Sequence, residues 1–120
     1  MGDDQPNLIC LAGFMKILSP SFVSRYQNKI LNIHPSLLPN YKGLNTHERV
    51  ILSKERITGC TVHVVNENID DGLILGQSMV PVETNDTALT LAKKVIKKEH
   101  ILYPQAVRRY LDGKTTFFSL

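Results

Sequence analysis

The sequence predicts an α/β fold, a mixed and mostly parallel sheet flanked by helices. Three observations carry this. Leu8–Ala12 is a short run apolar on both faces, as strands buried in a parallel sheet are, and Ile30–His34 is an apolar strand-like run that carries an Asn and a His. A helix start lies between them, so residues 8–34 make one βαβ unit, which is right-handed almost without exception. Residues 87–111 then carry the 3.6-residue periodicity of a long amphipathic helix.

The elements follow in order. Leu8–Ala12 reads as a central strand stopped by Gly13. Ser19 caps a short helix with Pro20 in its first turn and Phe22, Val23 and Tyr26 as its apolar stripe. Ile30–His34 is the second strand, halted by Pro35. Pro35–Leu44 is a loop with two prolines and a glycine. Thr46 caps a helix reaching about Lys54. Cys60–Val65 is the third strand, Asn66–Gly72 a polar loop, and Leu73–Val82 the fourth strand. Asp86 caps the helix from Thr87 to about Leu111, where Pro104 should kink it or start a new turn. The tail from Gly113 to Leu120 is weakly specified.

The 120 residues suffice for one domain, taken as 1–120. The net charge of +3 is scattered, apart from Lys93, Lys94, Lys97 and Lys98, which read as a solvated helix face; nucleic acid is not required. No apolar run is long enough to span a bilayer, and the N-terminus has neither a signal region nor a myristoylation pattern. Cys10 and Cys60 sit in separate apolar runs and read as reduced core thiols, which points to the cytoplasm.

Asn32 and His34 are two residues apart in a strand and share a face. His34 falls at the strand's carboxyl end, where open α/β sheets bind ligands. An imidazole can give a proton there, and an amide can hold a developing oxyanion. Asp70, in Asn-Ile-Asp-Asp-Gly, is either a turn residue or a carboxylate that orients His34; Asp71, beside Gly72, suits that role less. Glu99 falls on the inward stripe of Ala92, Val95, Leu102 and Ala106, and needs either a ligand hydroxyl or a basic partner. His63 reads as a satisfied core histidine, and His47 and His100 as helix-surface or capping residues. The four histidines form no zinc pattern, so no metal is expected. No nucleophile elbow, phosphate loop or dinucleotide fingerprint is present.

Asn32-Ile33-His34-Pro35-Ser36-Leu37-Leu38-Pro39, Gly43-Leu44, Thr46-His47 and the later Asp70 and Gly72 closely resemble the phosphoribosylglycinamide formyltransferase family. Leu11–Ser19 is similar to that family's folate-side segment, and Glu99-His100 with Tyr103-Pro104 to its C-terminal helix. The resemblance implies a partial Rossmann-like formyltransferase fold. It implies a transferase that moves a formyl group from 10-formyltetrahydrofolate, the donor and only cofactor, to the amine of glycinamide ribonucleotide. Asn32 and a protonated His34 would hold the oxyanion, and Asp70 would orient His34 and shuttle a proton. Met15, Lys16, Leu18 and Ile69 would line the folate site. Glu99 would bind the substrate ribose. A formyltetrahydrofolate deformylase, another folate-dependent formyltransferase, and an inactive fragment binding folate or a partner chain stay open as alternatives.

This sequence departs from the family pattern at Asn45, where a histidine is usual, at Lys16, and at Asp71 and Leu73. Nothing matches the family's N-terminal strands and phosphate loop. That absence predicts an open apolar edge on Leu8–Ala12. A separate N-terminal half or a homo-oligomer would be the expected partner.

Overall fold

The computed structural model describes residues 8–12, 19–68 and 70–120. Five strands form one sheet in the order β1 (Ile9–Ala12), β2 (Ile30–His34), β3 (Ile57–Val64), β4 (Ile74–Pro81) and β5 (Phe118–Ser119). The β1–β2 and β4–β5 ladders are parallel, and β2–β3 and β3–β4 are antiparallel. Four strands therefore share a direction and β3 runs against them, so the sheet is mixed with mostly parallel strands.

The alternation of β2 and β3 splits the sheet chemically. Leu31, Ile33, Cys60, Val62 and Val64 belong to one buried cluster with Leu91, Val95, Leu102 and Ala106 of the long helix α3 (Ala88–Leu111). The opposite face carries Asn32, His34, Thr61 and His63. The register places Asn32 opposite His63 and His34 opposite Thr61. A period of two thus puts the hydrocarbon under α3 and the polar side chains on the other side.

Several boundaries differ from the sequence expectation. Helix α1 (Pro20–Arg25) is as expected, with the Ser19 side chain accepting from the Phe22 backbone N–H. Helix α2 (Thr46–Leu52) is capped by Asn45 rather than Thr46. Asn45 takes a left-handed conformation, φ 57°, which asparagine tolerates better than threonine, and Thr46 becomes the first helical residue. At α3 the cap is Thr87, one residue after Asp86. Thr87 and Thr90 bond each other's backbone N–H in a capping box. Asp86 instead accepts from the Glu83 N–H, the Thr90 hydroxyl and the Lys94 ammonium, which hold its carboxyl down to about 2. Helix α3 runs unbroken through Pro104 to Leu111.

β3 begins three residues earlier than expected, at Ile57. The tail, which carries no periodic signal, contributes β5: it pairs with Gly76 and Gln77 of β4, and the Phe118 ring fills the space above Gly76. β1, whose apolar run alone reads as a central strand, pairs with β2 alone among the described residues, which agrees with the open edge expected on Leu8–Ala12. Cys10 on it is exposed, not a core thiol. Cys60 is buried, and burial pushes its thiol up to about 12, so it stays protonated.

Candidate active site

The site assembles where β2 ends. His34 is fully buried, and its Nε2–H donates to the Tyr41 carbonyl at 2.9 Å. A carbonyl can only accept, so this bond places a proton on Nε2. The other ring nitrogen, Nδ1, faces Asp70 Oδ1 at 3.4 Å. His63 also approaches that carboxylate, its Nε2 3.9 Å from the same oxygen. Asp70 Oδ2 accepts from the Gly43 backbone N–H at 2.8 Å. One carboxylate thus faces two imidazoles, tied to the loop that covers them.

Local backbone chemistry sets this geometry. Asp70 has φ 50°, a left-handed turn conformation that aspartate tolerates. Gly43, φ 87°, gives its N–H to that carboxylate from a conformation that favours glycine. Lys42 and Asp71 form an ion pair at 2.8 Å across the same two loops, in solvent. Asp71 is therefore a loop tie and not a partner of His34.

Among the described residues, the buried side-chain nitrogen and oxygen atoms without a hydrogen-bond partner are Asn32 Oδ1, His34 Nδ1, His63 Nε2 and His47 Nδ1. The first three belong to one face of the β2–β3 ladder, and native proteins rarely leave such atoms unpaired without a use for them. Burial lowers the His63 pKa from 6.5, against the Val64 carbonyl and Asp70, which raise it. Burial also lowers the His47 pKa, with the nearby His34 adding to the effect.

Two of the sequence expectations change here. His63 is not a satisfied core histidine: its Nδ1–H reaches the Val64 carbonyl only at 3.4 Å, and Nε2 faces Asp70. The signal that would have found it is the antiparallel register opposite Asn32, which no local pattern discloses. His47 is half-buried with an unpaired nitrogen, not a surface or capping residue.

Two cavities are lined by other residues of these elements. One, about 480 Å³, opens at the ends of β1 and β2 and is lined by Ala12, Ile33, Ile96, Glu99, His100 and Tyr103 among others. Glu99 is half-buried there, on the shoulder of the α3 stripe, and burial raises its carboxyl pKa. Such a carboxylate is ready to accept hydrogen bonds from hydroxyls. The other cavity, about 650 Å³, lies between α1 and the β3–β4 loop, with Val23, Val65, Asn66, Asn68 and Gly72 on its wall. That loop is the one that carries Asp70. Met15, Lys16, Leu18 and Ile69 lie outside the described residues. Among the described residues no group of three histidine, cysteine, aspartate or glutamate side chains is arranged to hold a metal ion. No helix among them is long and apolar enough to cross a membrane.

Comparison with known proteins points to one family. The formyl transferase family model matches residues 2–107. The trifunctional purine biosynthetic protein adenosine-3 of Gallus gallus is 52% identical over 106 residues, which are 88% of this chain and 11% of that protein. The phosphoribosylglycinamide formyltransferase of Escherichia coli strain K12 is 42% identical over 109 residues, 91% of this chain and 51% of that one. The solved phosphoribosylglycinamide formyltransferase of Anaplasma phagocytophilum matches with a TM-score of 0.87 at 41% identity, covering 94% of this chain and 63% of that one. The chain thus spans about half the length of the bacterial enzyme from E. coli.

Proposed function

Because the chain belongs to the formyl transferase family, we propose that it serves the transfer of a formyl group from 10-formyltetrahydrofolate to the amine of glycinamide ribonucleotide. The observation that carries this reading is that unpaired nitrogens of His34 and His63 face the Asp70 carboxylate, with the unpaired Asn32 amide on the same face of the β2–β3 ladder.

The chemistry runs as follows. The amine attacks the formyl carbon, and the C=O electron pair moves onto oxygen. The tetrahedral intermediate collapses, the bond to the folate nitrogen breaks, and a proton passes from the attacking amine to that nitrogen. Neither a covalent nucleophile nor a metal is needed. The work is to hold an oxyanion and move one proton. The Asn32 amide suits the first task. His34 and Asp70 suit the second. Nδ1 of His34 faces the Asp70 carboxylate, a pair between which a proton can pass, and Nε2 is already committed to Tyr41. The bare Nε2 of His63, when that ring is neutral, faces the same carboxylate and is a second place for a proton.

The cleft between α1 and the Asp70 loop suits the flat ring of the donor, next to Met15, Lys16, Leu18 and Ile69 in the chain. The Glu99 cavity suits the ribose hydroxyls of the acceptor. Soluble formation in the cytoplasm fits such a role.

The test is a formyl-transfer assay with 10-formyltetrahydrofolate and glycinamide ribonucleotide, run with this chain alone and with added polypeptide covering the rest of the E. coli relative's length. Transfer in the supplemented mixture is expected, falling roughly 10²–10³-fold in His34→Ala, the worth of one acid–base or oxyanion contact. Undiminished transfer by His34→Ala would remove the assigned role. No transfer under any of these conditions would remove the reading.

A further inference from the structure

The bond from His34 to the Tyr41 carbonyl is only as well placed as the loop that carries that carbonyl. Inside the loop, the Ser36 hydroxyl reaches the Asn40 carbonyl at 2.6 Å and the Tyr41 carbonyl at 3.3 Å. From outside, two strand side chains grip it. Thr61 Oγ1 donates to the Ser36 carbonyl at 2.7 Å and accepts the Leu38 N–H at 3.0 Å. Gln77 Nε2 donates to the Leu38 carbonyl at 2.9 Å and to Thr61 Oγ1 at 3.0 Å.

The register explains why these residues meet. His34 pairs with Thr61 across β2–β3, and Thr61 pairs with Gln77 across β3–β4. An imidazole, a hydroxyl and an amide therefore stand in one row across three strands, on one face, under one loop. The Thr61 hydroxyl gives its single proton and fills both acceptor positions, so it has no capacity left. Gln77 uses both amide hydrogens. The Thr61 hydroxyl and the Gln77 amide hydrogens are thus fully used, and the outer end of the row is the Gln77 amide.

Space is kept for the grip as well. A Cβ at Gly59 would meet the Ser78 carbonyl oxygen at 2.0 Å and Leu37 Cδ2 at 2.8 Å, so the strand is trimmed where the loop seats on it.

We propose that Gln77 is a positioning residue for His34. It touches no reacting atom. Its amide staples the 36–41 loop to β4, which fixes the Tyr41 carbonyl and through it the proton on His34 Nε2. The proposal rests on the reading that His34 is the working imidazole, but its test does not use turnover, so the two can fail separately.

The experiment is nitrogen NMR of this chain with ¹⁵N-labelled histidine, with and without substitution at position 77. In the unsubstituted chain the His34 Nε2 proton is expected to be hydrogen-bonded and slow to exchange with solvent. Gln77→Met keeps the volume and removes both donors; Gln77→Glu keeps the shape and replaces the amide by a carboxylate. In a variant that keeps the amide spectrum of the folded sheet, the Nε2 proton is expected to exchange about tenfold faster or more, the loss of one buried bond. Thr61→Ser, which keeps the hydroxyl, should leave it slow, and Thr61→Val should not. An unchanged His34 proton in a folded Gln77→Met or Gln77→Glu chain would overturn the proposal, as would equal effects of Thr61→Ser and Thr61→Val.

Discussion

His63 shows how much one side chain's protonation depends on its surroundings. Burial holds its folded-state pKa below the ordinary 6.5. Between that lowered value and 6.5 the unfolded chain binds more protons than the folded one. The stabilisation is therefore complete above 6.5 and is lost as the pH falls through the folded value. His47 carries the same sign. The urea midpoint should drop between about pH 7.5 and about pH 5.5, and His63→Gln should shrink that drop. A drop of the same size in the variant would contradict the assignment. The shared face of Asn32 and His34 was legible in the sequence because a strand puts i and i+2 on one face, whereas Asp70 read equally as a turn residue and was given its place beside His34 by the family resemblance. His63 was not legible, since its environment depends on a strand pairing that is remote in sequence and on a bulge between Val62 and His63.

At the scale of elements, glycine and charge positions separate what packs from what binds. Gly59 is closed by backbone and by the seated loop, whereas Gly76 is closed by the Phe118 ring, at 2.6 Å from the added carbon. A ring on a terminal strand can swing aside and a neighbouring strand cannot. Gly59→Ala should therefore cost more than Gly76→Ala, with the first at about 1–3 kcal/mol or more by denaturant titration; the reverse order would refute the packing argument. On α3, the raised Glu99 carboxyl means that its charged form opposes folding. That cost grows as the pH rises through its ordinary 4.5 toward the folded value. Glu99→Gln should thus melt higher than the parent at neutral pH, gain less near pH 4, and bind ribose-bearing ligands less well. A lower melting temperature at neutral pH would show that Glu99 has a stabilising partner. Strand and helix identities were readable from periodicity. The caps slipped by one residue because Asn45 and Thr46, and Asp86 and Thr87, are adjacent cap-competent pairs. β5 escaped because two residues without periodicity pair only through a long-range contact.

The whole molecule is a sheet with one face sealed by α3 and the other covered by two loops over a polar cluster. The fold class was legible because two short strand-like runs flank a capped helix and a long amphipathic helix follows, although β2 is uniformly apolar only on the face under α3. β1 is apolar on both faces and pairs with β2 alone among the described residues. The two loops meet through Lys42–Asp71 and Gly43–Asp70, so the carboxylate is held by the same contacts that cover the imidazoles. On the proposed function, His34 and Asp70 act as one unit. The measurement that tests this most directly is a double-mutant cycle on formyl-transfer rate with His34→Ala, Asp70→Asn and the pair. If the unit is real, the double variant should be little slower than the slower single one, as for groups that work together. Losses that multiply independently would mean that the two side chains do not share a proton and that the site works by another arrangement.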